Sequence, residues 1–234
     1  MDASLESAVP PGTAEGRQRL VLFDFDGVLM RGDAYTRFVR SRLRRSWWRL
    51  SIALVAVPLL LPLTGIRSLR MPVAGVFVRI GLLGVGAARY REMARAFAAE
   101  LVQRPRIFIR DGIAAMRRHV VDGDRVVIVT GCEETLARAI FEAVGLHDLE
   151  IIASRLREGR LGMRKDVHNI GARKPVQIAA HGLAETWDIA YSDSSRDIPM
   201  LRAAREAVLV NAGPQTVKRV EAALGRTVRR VDWF

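Results

Sequence analysis

Two aspartates, Asp24 and Asp26, stand one residue apart inside residues 20–29, with apolar residues on both sides and Gly27 directly behind. A β-strand sends alternate side chains to the same face. If the strand persists through them, both carboxylates point the same way, at the carboxyl end where open α/β sheets bind ligands. Carboxylates held side by side repel one another unless a cation or a shared proton offsets the charge. The pair therefore fits a Mg²⁺ site in which one carboxylate is free to act as nucleophile. It also fits a strand that closes in a polar turn, and the pair alone does not separate the two.

Three further pieces carry chemistry. Residues 126–129 are apolar and run into Thr130-Gly131, a hydroxyl followed by a flexible backbone whose N–H groups can meet an anion. Lys174 precedes Pro175, a residue type of the first helical turn, so a cation stands at a predicted helix start. The stretch Tyr191-Ser192-Asp193-Ser194-Ser195-Arg196-Asp197 ends another apolar run and places two acids four residues apart. Taken singly, Lys174 also reads as a solvated surface lysine and Asp197 as a helix N-cap.

The elements that would position these residues alternate along the chain. Apolar runs at 125–130, 149–154, 187–192 and 207–211 read as buried strands, and helical patterns cover 111–120, 133–144, 174–181, 197–204 and 214–224. That alternation predicts an α/β fold, a parallel sheet with crossover helices on both faces. Glu158-Gly159 is a hairpin signal within 154–163. Residues 33–105 break the pattern: they are helical, studded with arginine and intensely aliphatic, and read as an inserted helical cap. The expected organisation is a disordered leader at 1–19, a catalytic core at 20–32 and 106–234, and the cap between the core segments. The leader has no basic start followed by an apolar run, so it is not a secretory signal peptide.

The four chemical pieces, in this order, resemble the motifs of the haloacid dehalogenase superfamily of phosphohydrolases, and the resemblance covers about residues 20–211. It implies that Asp24 is the nucleophile that becomes an aspartyl-phosphate. Asp26 would be the general acid/base, which also lends its backbone carbonyl to Mg²⁺. The resemblance further implies that Thr130, with Gly131, binds phosphate, that Lys174 offsets charge on the nucleophile and phosphoryl group, and that Asp193 is a metal ligand supported by Asp197. Two departures stand out. Val28 replaces a common threonine, and Tyr191-Ser192 replaces the more usual glycine before the acid. Neither removes a group the mechanism needs.

Other patterns are weaker. Cys132 and Arg138 have the spacing of cysteine-dependent phosphatases, but Glu133 and Glu134 beside the thiol would raise its pKa and repel a phosphate. His119, His147, His168 and His181 show no metal-ligand spacing, and His168 reads as a surface residue. Residues 81–86 are glycine-rich without the dinucleotide fingerprint and read as close helix packing.

The net charge of +12 comes almost wholly from arginine, the lysines being Lys165, Lys174 and Lys218. Such a balance favours anionic partners. A single cysteine excludes an internal disulfide framework and fits a reducing compartment. Arg37, Arg40, Arg42, Arg44, Arg45 and Arg49 crowd around Trp47-Trp48, just ahead of residues 50–66, which carry no charge. Basic residues and tryptophan beside an aliphatic run describe an interface anchor. The run is short of the roughly 20 residues a span needs and contains Pro58 and Pro62, so an interfacial or re-entrant helical hairpin is expected. A soluble cap bundle is the alternative. Nucleic acid is not an expected partner, because the arginines are interleaved with aliphatic runs.

The cap, Asp33 shortly after the first motif and Tyr191–Ser194 are similar to the phosphatidylglycerophosphatase C family, within the phosphoserine-phosphatase type of core. That similarity implies a phosphorylated lipid substrate, an anionic membrane partner and an active site at the cytoplasmic face of the inner membrane. Asp33 would shape the substrate site or cap the first cap helix. A phosphatase of soluble phosphomonoesters such as phosphoserine is the second reading, and a basic binding module without catalysis the third.

Overall fold

The computed structural model describes residues 18–234. The expected leader lies outside the described residues except for Gln18 and Arg19, which bond to Gly123 O and to the Asp124 carboxylate. A seven-stranded sheet runs in the order β4-β3-β2-β1-β5-β6-β7. Its strands are β1 (Leu20–Phe23), β2 (Arg125–Glu133), β3 (Glu150–Arg157), β4 (Arg164–Val167), β5 (Trp187–Ser192), β6 (Ala204–Val210) and β7 (Arg229–Val231). All neighbours are parallel except β3 and β4, which form an antiparallel hairpin.

The central strands are mostly apolar because both of their faces are buried, Asp188 near the start of β5 being an exception. Val21, Phe23, Val126, Ile128, Val208 and Val210 enter one core cluster, while Leu20, Leu22, Val127, Val129, Ala207 and Leu209 enter the other. The first cluster is covered by α1 (Ala34–Arg44), α4 (Ala87–Val102) and α6 (Glu134–Ala143), and receives Met116 from α5 (Arg110–Val121). The second takes buried residues from α7 (Arg173–Ala180), α8 (Ile198–Ala203) and α9 (Pro214–Leu224).

In α4 the buried positions Tyr90, Met93, Ala94, Phe97, Ala98 and Leu101 recur at helical spacing. They pack against α6, each large side chain contributing on the order of 1.5–3 kcal/mol. The last helix of the expected cap is thus continuous with the core of the sheet domain. Between α1 and α4, α2 (Trp47–Leu60) and α3 (Arg70–Gly81) form a helical pair joined by two 3-10 turns. α2 has 14 residues, about 21 Å of helix, against a bilayer core of roughly 30 Å. Among the described residues no helix is long and apolar enough to cross a membrane.

Several expectations need correction. β1 ends at Phe23, so Asp24 follows the strand and Asp26 lies in the turn beyond it. Phe25 prolongs the apolar alternation in sequence but is buried in the core as part of the turn, where its carbonyl accepts from Leu29 and Met30 N. The hairpin turn closes between Gly159 and Gly162, which exchange backbone hydrogen bonds, so Glu158-Gly159 is only its start. β7 was not expected: two arginines in a three-residue edge strand carry no apolar signal.

A polar network braces the amino-terminal edge. Asp124 accepts from Arg19 Nε and Nη2 and contacts His119 Nδ1, all at 2.8 Å, and His119 Nε2 lies 3.0 Å from Tyr191 Oη. Tyr191 stacks on Phe23 at 4.3 Å and on Trp233 at 5.4 Å. Burial alone would raise the Asp124 carboxyl, but the hydrogen bonds from Arg19 and His119 prevail and hold it below the usual carboxylate range. A depressed folded-state pKa contributes stability that is full above the ordinary value near 3.8 and is lost as the pH falls through the folded-state value. Asp124→Asn is therefore expected to lower the urea midpoint at neutral pH. The gap to the parent should narrow as the pH drops below that range; a gap that stays constant with pH would contradict the assignment.

Candidate active site

A cavity of about 1050 Å³ opens above the carboxyl ends of the central strands, and Asp24, Asp26, Gly131, Lys174, Asp193 and Asp197 all line it. Asp24 is held where β1 stops: its N–H donates to Tyr191 O at 3.0 Å, and its Oδ1 accepts from Phe25 N at 2.8 Å. Lys174, the second residue of α7, is fully buried, with Nζ 3.1 Å from Asp24 Oδ1 and 2.7 Å from Asp197 Oδ2. Asp197 precedes α8 but makes no side-chain cap; its Oδ2 accepts from Lys174 and, at 2.8 Å, from Ser192 Oγ.

Burial is the largest influence on Asp24, Asp197 and Lys174. It pushes the Asp24 carboxyl well up, against the pull of Lys174 and with further push from Asp197 and Asp26. Burial would likewise raise Asp197, but Lys174 and the hydrogen bonds it accepts hold it below the usual range. For Lys174 burial works against the charge, and the two carboxylates overcome it and keep the ammonium above its ordinary value. The arrangement can present a carboxylate to an electrophile with a fixed cation alongside.

Asp26 is oriented by its own loop. Its Oδ1 accepts from Ala34 N at 2.8 Å, which ties the turn to the start of α1. Burial and the neighbouring Asp33 raise it to about 7, against the Ala34 hydrogen bond, a value suited to exchanging a proton near neutrality. Asp193, raised by burial and Asp197 to about 6, lies against the same turn. A Cβ on Gly27, whose φ is +81°, would collide with the Asp193 carboxylate, so only glycine permits this approach. The acids thus come from two strand ends and supply only oxygen donors, which fits Mg²⁺. Among the described residues no group of three or more His, Cys, Asp or Glu side chains forms a metal cluster by itself.

The remaining expected residues divide. Gly131 faces the cavity, where a Cβ would stand 2.7 Å from Ile170 Cγ2. Thr130 is fully buried and is not part of the cavity lining; its Oγ1 accepts from Cys132 N at 2.9 Å. Asp33 lines the cavity and also caps α1 through Thr36 N at 2.6 Å. His168, expected at the surface, is half-buried in the cavity wall. The Cys132 thiol is pushed well up by burial, Asp26 and Glu133, and Arg138 is paired with Glu134, so this spacing does not form a thiolate site.

Two residues escaped the sequence reading. Ser192, read there as part of the fourth motif but given no role of its own, hydrogen-bonds Asp197; a hydroxyl directly before the acid was the available signal. Asn169 is fully buried and binds Thr130 O at 3.2 Å and Ile152 O at 2.9 Å through Nδ2. Its N–H donates to Ser154 Oγ, which in turn donates to Gly131 O. Asn169 therefore fastens the loop leading to Lys174 onto the ends of β2 and β3, and an isolated asparagine gives no sequence signal for that role. Asn169→Ala leaves two buried carbonyls without this partner and is expected to cost about 1–3 kcal/mol in urea unfolding. Unchanged stability would contradict this role.

Comparison with known proteins places the chain. Residues 21–202 match the family model described as haloacid dehalogenase-like hydrolase. The protein CicA of Caulobacter vibrioides is 31% identical over 211 residues, covering 86% of this chain and 90% of that protein. A Bordetella pertussis Tohama I protein of unknown function superposes with a TM-score of 0.72 at 21% identity, covering 92% of this chain and 99% of that one. A substrate-bound phosphoserine phosphatase gives a TM-score of 0.54 at 15% identity, covering 88% and 91%. With the family model spanning most of its length, the chain belongs to the haloacid dehalogenase-like hydrolases.

Proposed function

We propose that this hydrolase is a Mg²⁺-dependent phosphomonoesterase that works through an aspartyl-phosphate on Asp24. The observation that carries the reading is the buried Lys174 ammonium, 3.1 Å from Asp24 and 2.7 Å from Asp197 at the mouth of a parallel sheet. Asp24 attacks phosphorus, and the ester oxygen leaves with a proton from Asp26. Asp26 then takes a proton from the water that cleaves the acyl phosphate. Lys174 offsets charge on the nucleophile and on the transferring oxygens, and the backbone at Gly131 receives the phosphate. Asp24, the Asp26 carbonyl and Asp193 would hold Mg²⁺, with Asp197 in support. Bound there, the ion supplies the positive charge that lets a carboxylate meet a phosphate dianion.

The substrate reading is a phosphorylated lipid, phosphatidylglycerophosphate, met at the cytoplasmic face of the inner membrane. It is supported by the surface of the helical insertion. In α2 only Ala53 is buried, while Trp47 is 81% and Leu59 70% exposed. Arg42 lies close enough to Arg45, Arg49 and Arg89 that their charges, after burial, depress its pKa, and Nε of Arg42 and of Arg49 are buried without a partner among the described residues. Crowded guanidinium groups beside exposed aliphatic side chains suit an anionic lipid surface. Met71, Pro72, Ala74 and Val78 of α3 also line the cavity, so the same insertion carries apolar surface to the reacting acids. The second reading, a soluble phosphomonoester such as phosphoserine, is supported by the fold shared with a phosphoserine phosphatase.

Phosphate release from phosphatidylglycerophosphate in mixed micelles, beside phosphoserine, separates these readings. Turnover of the lipid is expected to require Mg²⁺, to vanish in Asp24→Asn and to persist in Cys132→Ser. Loss in Cys132→Ser with retention in Asp24→Asn would overturn the mechanism, and turnover of phosphoserine alone would overturn the lipid assignment. In flotation with phosphatidylglycerol vesicles, the parent should rise with the lipid and a Trp47→Ser/Leu54→Ser/Leu59→Ser variant should stay behind. A parent that stays in the soluble fraction would contradict membrane docking.

A further inference from the structure

The cavity lining is chemically mixed: acids at the strand ends, apolar residues of α3 together with Arg79 of that helix, and a group of further cations. Arg155, Arg164 and Lys165 of the β3–β4 hairpin belong to that group, and Arg196, from the turn after β5, joins them. The hairpin's own acids are turned to other uses. Asp166 pairs with Arg157 at 3.7 Å, Glu158 accepts from Ala87 N at the start of α4, and neither lines the cavity. Among the described residues, the side chains of Arg155, Arg164, Lys165 and Arg196 form no ion pair or hydrogen bond with protein. Lys165 and Arg196 approach from separate elements toward half-buried His168, whose pKa is lowered by burial and then by both of them. The mechanism above uses only Lys174 on the scissile phosphate, which leaves this group without a role.

We infer that this group is a second anion site: the cavity takes a phosphomonoester whose leaving group carries another anionic group, held by Arg164, Lys165 and Arg196. A neutral leaving group pressed against it would displace water from several cations and return nothing, whereas an anion would gain charge-assisted hydrogen bonds. Apolar residues of α3 line the same cavity, so a second anion and an aliphatic tail can be accommodated together. This inference rests on the phosphomonoesterase reading for turnover, but not for binding.

A matched pair tests it: propane-1,3-diyl bisphosphate against 3-hydroxypropyl phosphate, with phosphatidylglycerophosphate against phosphatidate as the lipid pair. The doubly anionic member is expected to show roughly tenfold higher kcat/KM in at least one pair, carried by KM. The pair in which the preference appears identifies a soluble or a lipid-borne second anion. Arg164→Gln/Lys165→Gln, and separately Arg196→Gln, should erode that preference. Equal kcat/KM within both pairs, or a preference untouched by these substitutions, would overturn the site. If no ester is turned over, the phosphomonoesterase reading fails, and calorimetric titration of Asp24→Asn decides the site independently. Tighter binding of the bisphosphate supports it, and equal or undetectable binding of both soluble compounds overturns it.

Discussion

An ammonium group with no exposure to water stays charged only where opposite charge surrounds it, and Lys174 meets that condition between Asp24 and Asp197. The rest of the site follows from it. Removing one partner of such a buried cluster typically costs about 3–5 kcal/mol because a charge is left uncompensated. The three residues come from the end of β1, the first turn of α7 and the turn after β5, so their meeting fixes how distant parts of the chain close on the sheet. Ser192 and Phe25 N occupy further oxygen lone pairs of the carboxylates, and Asn169 holds the loop that delivers the lysine. Stability and chemistry therefore draw on the same contacts.

Around this centre the fold separates two tasks. The strand ends of the sheet carry the clustered acids, while α3 and the β3–β4 hairpin supply other residues that line the same cavity. The insertion and the hairpin touch. Gly84 N donates to Leu161 O, Met163 N donates to Val85 O, and Glu158 binds the first N–H of α4. The hairpin is thereby anchored to the end of the insertion. Apolar residues of α3 and cationic residues of the hairpin line one cavity together with the acids.

Much of this was legible in the sequence because strands buried on both faces leave long apolar runs, as at 126–129. The end of β1 was not, since Phe25 continues the apolar alternation while folding into the core through a turn. β7 was hidden because a short edge strand, with Arg229 and Arg230, has no apolar demand on it. Asp24, Asp26, Lys174, Asp193 and Asp197, which line one cavity, stood out in the sequence only as a set, because each alone resembles ordinary surface chemistry. Ser192 and Asn169 act through hydrogen bonds between segments far apart in sequence, which leave no local pattern. The aliphatic character of residues 50–66 was evident from composition, but the packing of α4 onto α6 depends on a helix face that sequence alone does not assign to a partner.

The proposed mechanism stands on covalent phosphorylation of Asp24. Acid quenching during turnover, followed by borohydride reduction and peptide mass spectrometry, reads this directly, because reduction converts a phosphorylated aspartate to homoserine. Homoserine is expected at position 24, dependent on substrate and Mg²⁺, with Asp26, Asp193 and Asp197 unmodified. Turnover without any modification at Asp24, or with modification at another of these acids, would contradict that mechanism.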